Sequence, residues 1–423
     1  MEKVISYVNT NRGNGQKEDL NRLYTLLEQV NQPQKGLKYI HITGTNGKGS
    51  TGALFTSVLR KAGLDVGVFT SPHLEIVNER IRINDAYIED EEFIRLVEEI
   101  EPIVLALEEE MNEKFYAFEL LTTVAFLYFQ EKQPDIVVLE AGIGGRLDST
   151  NVIDEAEVSV ITSIGLDHMK VLGETKEKIM AEKVQILKED GDLIVGPIEE
   201  SLQVIAEKQA TAVKGLTTFV DPRDIEVKEA SLTQQVFSYK DWPVIELSLL
   251  GRHQIENACL VLEACQILKE KRYPLTLETI KQGLAQASWP GRFEKVLDEP
   301  LFYLDGAHNE ASVKRLVETL EEVFPNNKFY FILGMMKDKN YQKMIAQVYH
   351  LAKEFILVSP NWQRGFDVQE VADELVKAGY PATAKDNVDE VLRYIQNDIP
   401  KNETVIQFGS LYLVGDLKKA LQA

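Results

Sequence analysis

Cysteine is nearly absent: Cys259 and Cys265 are the only two in 423 residues. Two thiols build neither a disulfide framework nor a Cys-rich metal site, so the cytoplasm is the expected location. Positive charge is in deficit, with 46 Lys and Arg against 67 Asp and Glu and a net charge of −21. The basic footprint of a nucleic-acid-binding chain is missing, and no nucleic-acid partner is expected. An anionic ligand must then be held by a local nest of amides, cations or metal, not by the overall field. No window approaches about 18 uninterrupted apolar residues, so neither a membrane span nor a membrane partner is expected. The opening run Met1–Val8 lacks a long apolar stretch and a small-residue cleavage pattern, and no signal peptide is expected. The 14 prolines and 26 glycines follow no fixed period, which excludes collagen-like repeats. What remains is an ordinary globular mix, 44% hydrophobic and 27% charged, in a length suited to roughly two to three domains.

From residue 36 onward, short apolar runs alternate with helical patterns. Lys38–Thr43, Asp65–Thr70, Asp135–Glu140 and Val158–Thr162 read as strands, and Thr51–Ala62 as a helix. This alternation predicts an α/β fold with a mostly parallel sheet covered on both faces. Residues 216–250 break the pattern and read as an antiparallel excursion before a helix from His253 to Lys269. Ser288–Arg292 carries a proline–glycine break. Beyond it Leu301–Asp305, Lys328–Gly334, Glu354–Ser359 and Glu403–Ser410 read as strands of a second, smaller α/β unit. The expected domains are residues 1–292 and 293–423. Trp242, Trp289 and Trp362 read as packing, and the two cysteines as core.

The sharpest feature is Gly44–Thr45–Asn46–Gly47–Lys48–Gly49–Ser50, between a strand and a helix. Glycines let backbone amides converge on phosphate oxygens. A lysine adds charge, and a hydroxyl at the helix start can bond phosphate or a Mg²⁺ shell. The run departs from the usual G-x-x-x-x-G-K-[ST] pattern. Its first glycine is at position 44 instead of 42, and Gly49 moves the hydroxyl to Ser50. Glu140 ends an apolar strand where an acid can hold Mg²⁺, and the glycines of Gly142–Gly145 let backbone approach a ligand closely.

The loop Gly44–Ser50 closely resembles that of the folylpolyglutamate synthase and dihydrofolate synthase family, relatives of the Mur peptidoglycan ligases. Further blocks resemble the family in order: Thr70–Leu74, Asn78–Ile81, Glu140–Asn151, Asp167–His168, Ala181–Lys183, Gly251–Gln254 with Asn257–Ala258, Trp289–Arg292, Asp305–Asn309 and Phe408–Leu413. The resemblance implies a P-loop, Mur-ligase-like ATP-binding domain and a smaller Rossmann-like C-terminal glutamate-ligase domain. It implies an ATP- and Mg²⁺-dependent ligase that joins L-glutamate to a folate, with dihydropteroate as a second acceptor; a monomer is expected.

By resemblance Gly44 to Ser50, Asn257, Arg292 and Asp305 bind ATP, with Asp305 on the ribose. Ser71, Glu140 and His168 hold metal. Lys48, Lys183, His308 and Ser410 form the catalytic set, in which Lys183 can carry a carbamate and His308 and Ser410 position glutamate or the acyl phosphate. Two departures stand out. Glu182–Lys183–Val184–Gln185 replaces the family's Lys-Ala-Gly and is expected to crowd the turn after the lysine. Glu310 replaces a usual proline, and as a first-turn carboxylate it suits the helix dipole. Two rival readings are a Mur-type peptidoglycan precursor ligase and a nucleotide-binding switch without ligation. Against the first, only 43 residues precede Gly44; against the second stand the blocks from Asp305 to Leu413.

Overall fold

The computed structural model describes residues 1–10, 12–13, 17–335, 341–358 and 365–422, and every structural statement below concerns these; Ser359 and Trp362 lie outside them. The chain divides into two compact units. The first comprises Met1–Glu226, Ser238–Ile245 and Glu256–Ala287; the second comprises Val227–Phe237, Glu246–Ile255 and Ser288–Ala423.

The first unit is built on eight strands: β1 (Tyr39–Thr43), β2 (Val66–Phe69), β3 (Ile81–Ile83), β4 (Ala86–Tyr87), β5 (Ile136–Glu140), β6 (Val158–Ile161), β7 (Asp192–Val195) and β8 (Leu216–Phe219). Their order is β4-β3-β2-β5-β1-β6-β7-β8. From β2 to β8 all neighbours run parallel. β3 and β4 add an antiparallel edge. Every residue of β1, β2, β5 and β6 is buried, as expected of strands covered on both faces.

The sheet order places the site. β1 lies between β5 and β6, while the chain leaves β1 to form β2 on the far side of β5. Such a reversal opens a crevice at the carboxyl ends of the strands, where ligands bind. The register levels those ends: Phe69 pairs with Leu139, Ile42 with Glu140, and Thr43 with Ile161. The loops starting at Gly44, Thr70, Ala141 and Thr162 therefore leave one edge together.

Leu216–Phe219 corrects one expectation. It does not open the excursion but forms β8, parallel to β7. The helix Glu200–Ala212 between them returns the chain in the same direction, as a helical crossover does. The excursion proper is a separate three-stranded sheet of β9 (Ile225–Ala230), β10 (Gln235–Tyr239) and β11 (Trp242–Leu247), in the order β11-β10-β9.

The second unit carries β12 (Glu294–Asp298), β13 (Leu301–Leu304), β14 (Phe329–Leu333), β15 (Ala352–Val358), β16 (Ala382–Lys385) and β17 (Thr404–Phe408), in the order β12-β13-β17-β14-β15-β16. Only β12 is antiparallel to its neighbour. Phe329, Phe331, Phe355 and Phe408 pack on one face with Val313, Leu316 and Leu320 of the helix Glu310–Val323.

Candidate active site

The phosphate loop follows β1 without a gap, and the helix begins at Lys48, earlier than the expected Thr51. Gly47 is left-handed at φ 91°, and a Cβ there would stand 2.7 Å from Asn257 Oδ1. Glycine thus serves both the turn and the close approach of Asn257, a buried residue on the helix Arg252–Glu270. Lys48 Nζ donates to the Gly44 carbonyl at 3.1 Å. Lys183 Nζ, at the end of the helix Lys176–Lys183, donates to the same oxygen at 2.9 Å. Burial first, and the Lys48 charge second, push the Lys183 amine down to about 7. Two lysine amines meeting on one carbonyl in a glycine loop are suited to an added anion.

Beside this loop Glu140 ends β5 and is only 4% exposed. Ser71 follows β2 by two residues and leaves the adjacent strand at the same edge. The glycine-rich turn after Glu140 is braced from several sides. Asp148 accepts the Ile143 amide at 2.8 Å through one oxygen; through the other it accepts the Thr150 amide at 3.0 Å and hydroxyl at 2.6 Å. Thr43 Oγ1 donates to the Gly144 carbonyl. A Cβ on Gly145 would stand 2.7 Å from the carbonyl oxygens of Glu182 and Lys183, so this turn lies directly on the lysine's backbone.

The expected crowding after Lys183 does not occur. Val184 is right-handed at φ −63° and ψ −16° and opens a 3-10 turn, Val184–Ile186. No left-handed position needs a glycine there. Val184 fills the core at 1% exposure, and Gln185 donates to Gln209 at 3.1 Å.

His168 is exposed and left-handed at φ 49°, at the start of the short helix Met169–Leu172. Leu172 fills the space over Gly144, where a Cβ would meet it at 2.7 Å. His168 thus lies on the rim of the same edge. Among the described residues no cluster of three or more His, Cys, Asp or Glu forms a metal site on its own. The hydroxyl of Ser71 and the carboxylate of Glu140 fit Mg²⁺, which takes hard oxygen donors and keeps phosphate and water among its ligands.

In the second unit the carboxyl edge of the sheet carries Asp305, His308 and Ser410, with Arg292 just before β12. Asp305 follows β13, and its carboxylate accepts the amides of Ala307 at 2.8 Å and Phe293 at 3.0 Å. Burial pushes its pKa up, opposed by the Arg292 charge. Arg292 lies so near Gly306 that a Cβ would stand 2.1 Å from Nη1. His308 Nδ1 donates to the Gly306 carbonyl at 2.7 Å, because only a protonated ring nitrogen bonds a carbonyl. Asn309 caps the next helix by accepting the Ser312 amide at 2.9 Å, and Glu310 occupies its first turn. Ser410 Oγ accepts the amides of Tyr412 at 3.1 Å and Leu413 at 3.5 Å, which leaves its hydroxyl hydrogen to donate.

Sequence reasoning passed over Arg82, a mostly buried guanidinium on β3 that feels the Glu140 charge. It also passed over Asp148 as a brace, and over Thr162 and Ser163, which bond the phosphate loop. A signal for the last pair exists: two hydroxyl residues directly after a buried strand.

Comparison with known proteins agrees with this layout. The Mur ligase middle domain family matches residues 42–265, and the Mur ligase glutamate ligase domain family matches residues 291–411. Over 421 residues the chain is 38% identical to a dihydrofolate synthase/folylpolyglutamate synthase of Bacillus subtilis, covering 96% of each chain. The crystal structure of a folylpolyglutamate synthase of Thermotoga maritima aligns with a TM-score of 0.87 at 32% identity, over 100% of this chain and 96% of that one. An FPGS complex with AMPPCP and folate aligns with a TM-score of 0.84 at 30% identity, over 100% of this chain and 99% of that one. The chain belongs to the Mur ligase family, in its folylpolyglutamate synthase and dihydrofolate synthase branch.

Proposed function

We propose that this protein is an ATP-dependent ligase that adds L-glutamate to folates, and to dihydropteroate, by way of an acyl phosphate. The observation that carries the reading is the convergence of Lys48 and Lys183 on one carbonyl of a glycine loop, on the sheet edge that also ends in Glu140.

A carboxylate is a poor acyl donor because its leaving group would be oxide. Attack of the folate or pteroate carboxylate oxygen on the γ-phosphorus of ATP gives an acyl phosphate and ADP. The glutamate amine then attacks the carbonyl carbon, loses a proton, and expels phosphate from the tetrahedral intermediate. The protein's task is to hold three ligands in register and to neutralise charge as it develops. Lys48 and the first-turn amides hold the phosphates. Ser71 and Glu140, with His168 for a second ion, would hold Mg²⁺, which supplies charge neutralisation at the transferring phosphoryl group. Asn257 and Arg292 bind the nucleotide, the latter suited to bidentate phosphate contact. Asp305 holds the ribose. His308 and Ser410 position glutamate and the acyl phosphate.

Lys183 has a second part in this reading. Its lowered pKa leaves a share of neutral amine at neutral pH, the form that takes up CO₂ as a carbamate. The carbamate would turn a cation into an anion that supports the metal. An unmodified mass in a gently isolated sample would count against it. The functional division is residues 1–292 for ATP and 293–423 for glutamate, in a cytoplasmic monomer.

The test is product analysis. The chain is incubated with ATP, Mg²⁺ and L-glutamate, and with tetrahydrofolate or dihydropteroate in turn. The reading expects one ADP for each glutamate joined, identified by product mass, and little ADP when either acceptor or glutamate is left out. ADP release that neither acceptor changes would support a switch instead.

A further inference from the structure

The phosphate loop is held from behind by the chain that follows β6. Thr162 Oγ1 donates to the Asn46 carbonyl at 2.6 Å. Ser163 Oγ donates to the same carbonyl at 3.0 Å and accepts the Asn46 amide at 3.0 Å. The Thr45 amide donates to the Ser163 carbonyl at 2.9 Å. Thr45 Oγ1 donates to the Gly165 carbonyl at 3.2 Å and accepts the Gly165 amide at 2.9 Å. Two of the loop's amides, those of Thr45 and Asn46, are therefore committed to this clasp. Phosphate must be met by the amides further on, at the entry to the helix Lys48–Lys61.

The clasp is itself rigidly placed. The Thr162 amide donates to the Thr43 carbonyl at 2.9 Å, extending the β1–β6 ladder by one bond. Gly196 packs beneath it, where a Cβ would stand 2.1 Å from the Thr162 carbonyl oxygen. On the other side a Cβ on Gly44 would stand 1.8 Å from Thr162 Oγ1. This explains why the glycine comes at position 44: the threonine hydroxyl occupies the space a side chain would need.

We propose that Thr162 and Ser163 are positioning residues for the nucleotide. They shape the phosphate loop before ATP arrives, so that binding need not order it. The proposal rests on the ATP-binding reading above. A glycine-rich loop released from these bonds samples more conformations, and its affinity for nucleotide falls by the fraction of time spent in the competent shape. The chemical step, once nucleotide is bound, changes little.

The test uses the full chain and Mg²⁺-ADP without folate or glutamate, read by calorimetry, together with KM for ATP and kcat in the ligase assay. Thr162→Val and Ser163→Ala should each weaken ADP binding about tenfold, the scale of one lost hydrogen bond, and should raise KM for ATP in step. kcat at saturating ATP should stay within about threefold. Thr162→Ser, which keeps the hydroxyl, should bind within about threefold of the unaltered chain. The proposal is overturned if the double variant binds ADP within twofold of the unaltered chain. It is equally overturned if Thr162→Ser is as weak as Thr162→Val, or if kcat falls while KM for ATP holds. Should Thr162→Val fail to fold, Ser163→Ala and Thr162→Ser decide the matter by the same readouts. An unaltered chain that binds no ADP would instead bring down the ATP-binding reading, a different and recognisable failure.

Discussion

Lys183 offers a prediction whose size can be worked from its surroundings. The residue is 3% exposed, and its amine is bonded to the Gly44 carbonyl and beside the Lys48 charge. Its folded-state pKa is pushed down to about 7 from an ordinary 10.5. In the unfolded chain the lysine stays protonated until near its ordinary value. Between these two values the unfolded state holds the extra proton, so stability rises with pH. The penalty for the buried charge is fully present below pH 7 and is relieved as pH climbs towards 10.5. Over the whole window the relief is about 5 kcal/mol; from pH 6.5 to 8.5 it is about 2 kcal/mol.

Lys183→Met keeps the length of the side chain and removes the titration. Urea unfolding of both proteins at pH 6.5, 7.5 and 8.5, in CO₂-free buffer and on the transition of the first unit, isolates the difference. Other groups titrating in this range, such as Lys188 with its pKa pushed down to about 8 by burial, cancel in the comparison. The unaltered chain should gain about 2 kcal/mol relative to the methionine variant from pH 6.5 to 8.5. Parallel pH profiles would refute the reasoning, because Lys183 would then ionise as an exposed lysine does.

Gly283→Ala should lower the stability of the first unit by about 1–3 kcal/mol, since its Cβ would stand 2.5 Å from the Val58 Cα on the phosphate-loop helix; chemical denaturation reads the change. Glu119→Ala should lower it by about 3–5 kcal/mol, because Glu119 is fully buried and pairs with Lys17 at 3.2 Å and Arg22 at 2.9 Å. Loss of one kilocalorie or less would mean water compensates the two cations. Gly47→Ala should weaken ADP binding and leave the sheet intact by circular dichroism, because the left-handed turn and Asn257 both exclude a Cβ. Lys48→Ala should cut glutamate-dependent ADP formation by about 10²-fold or more, and Glu140→Ala should raise the Mg²⁺ concentration needed for half-maximal rate.

The buried strands are legible because they are short, mainly apolar runs. Tyr39–Thr43, Ile136–Glu140 and Val158–Ile161 lie inside the expected spans. The edge strands are not. Ala86–Tyr87 is exposed, and Glu294–Asp298 and Ala382–Lys385 are partly exposed throughout or nearly so, so none carries a continuous apolar signal. The sheet of Leu216–Phe219 is hidden for a related reason: short, outward-facing strands are placed by their crossover and not by their composition. In the site, glycine loops and strand-end acids announce themselves by residue type. The clasp of Thr162 and Ser163 on Asn46 does not, because it joins residues more than a hundred positions apart. The turn after Lys183 is not legible from side-chain volume, because its backbone is right-handed and accepts valine.

The central claim is that the acceptor's carboxylate is phosphorylated by ATP held on the Lys48 loop. The most direct measurement places ¹⁸O in that carboxylate and follows it by mass spectrometry during one round of glutamate addition. Phosphorylation requires one labelled oxygen in each phosphate released, and in Lys48→Ala the labelled phosphate should form about 10²-fold more slowly. Unlabelled phosphate formed alongside the amide would contradict the account, because the carboxylate would then have reached the amine by another route.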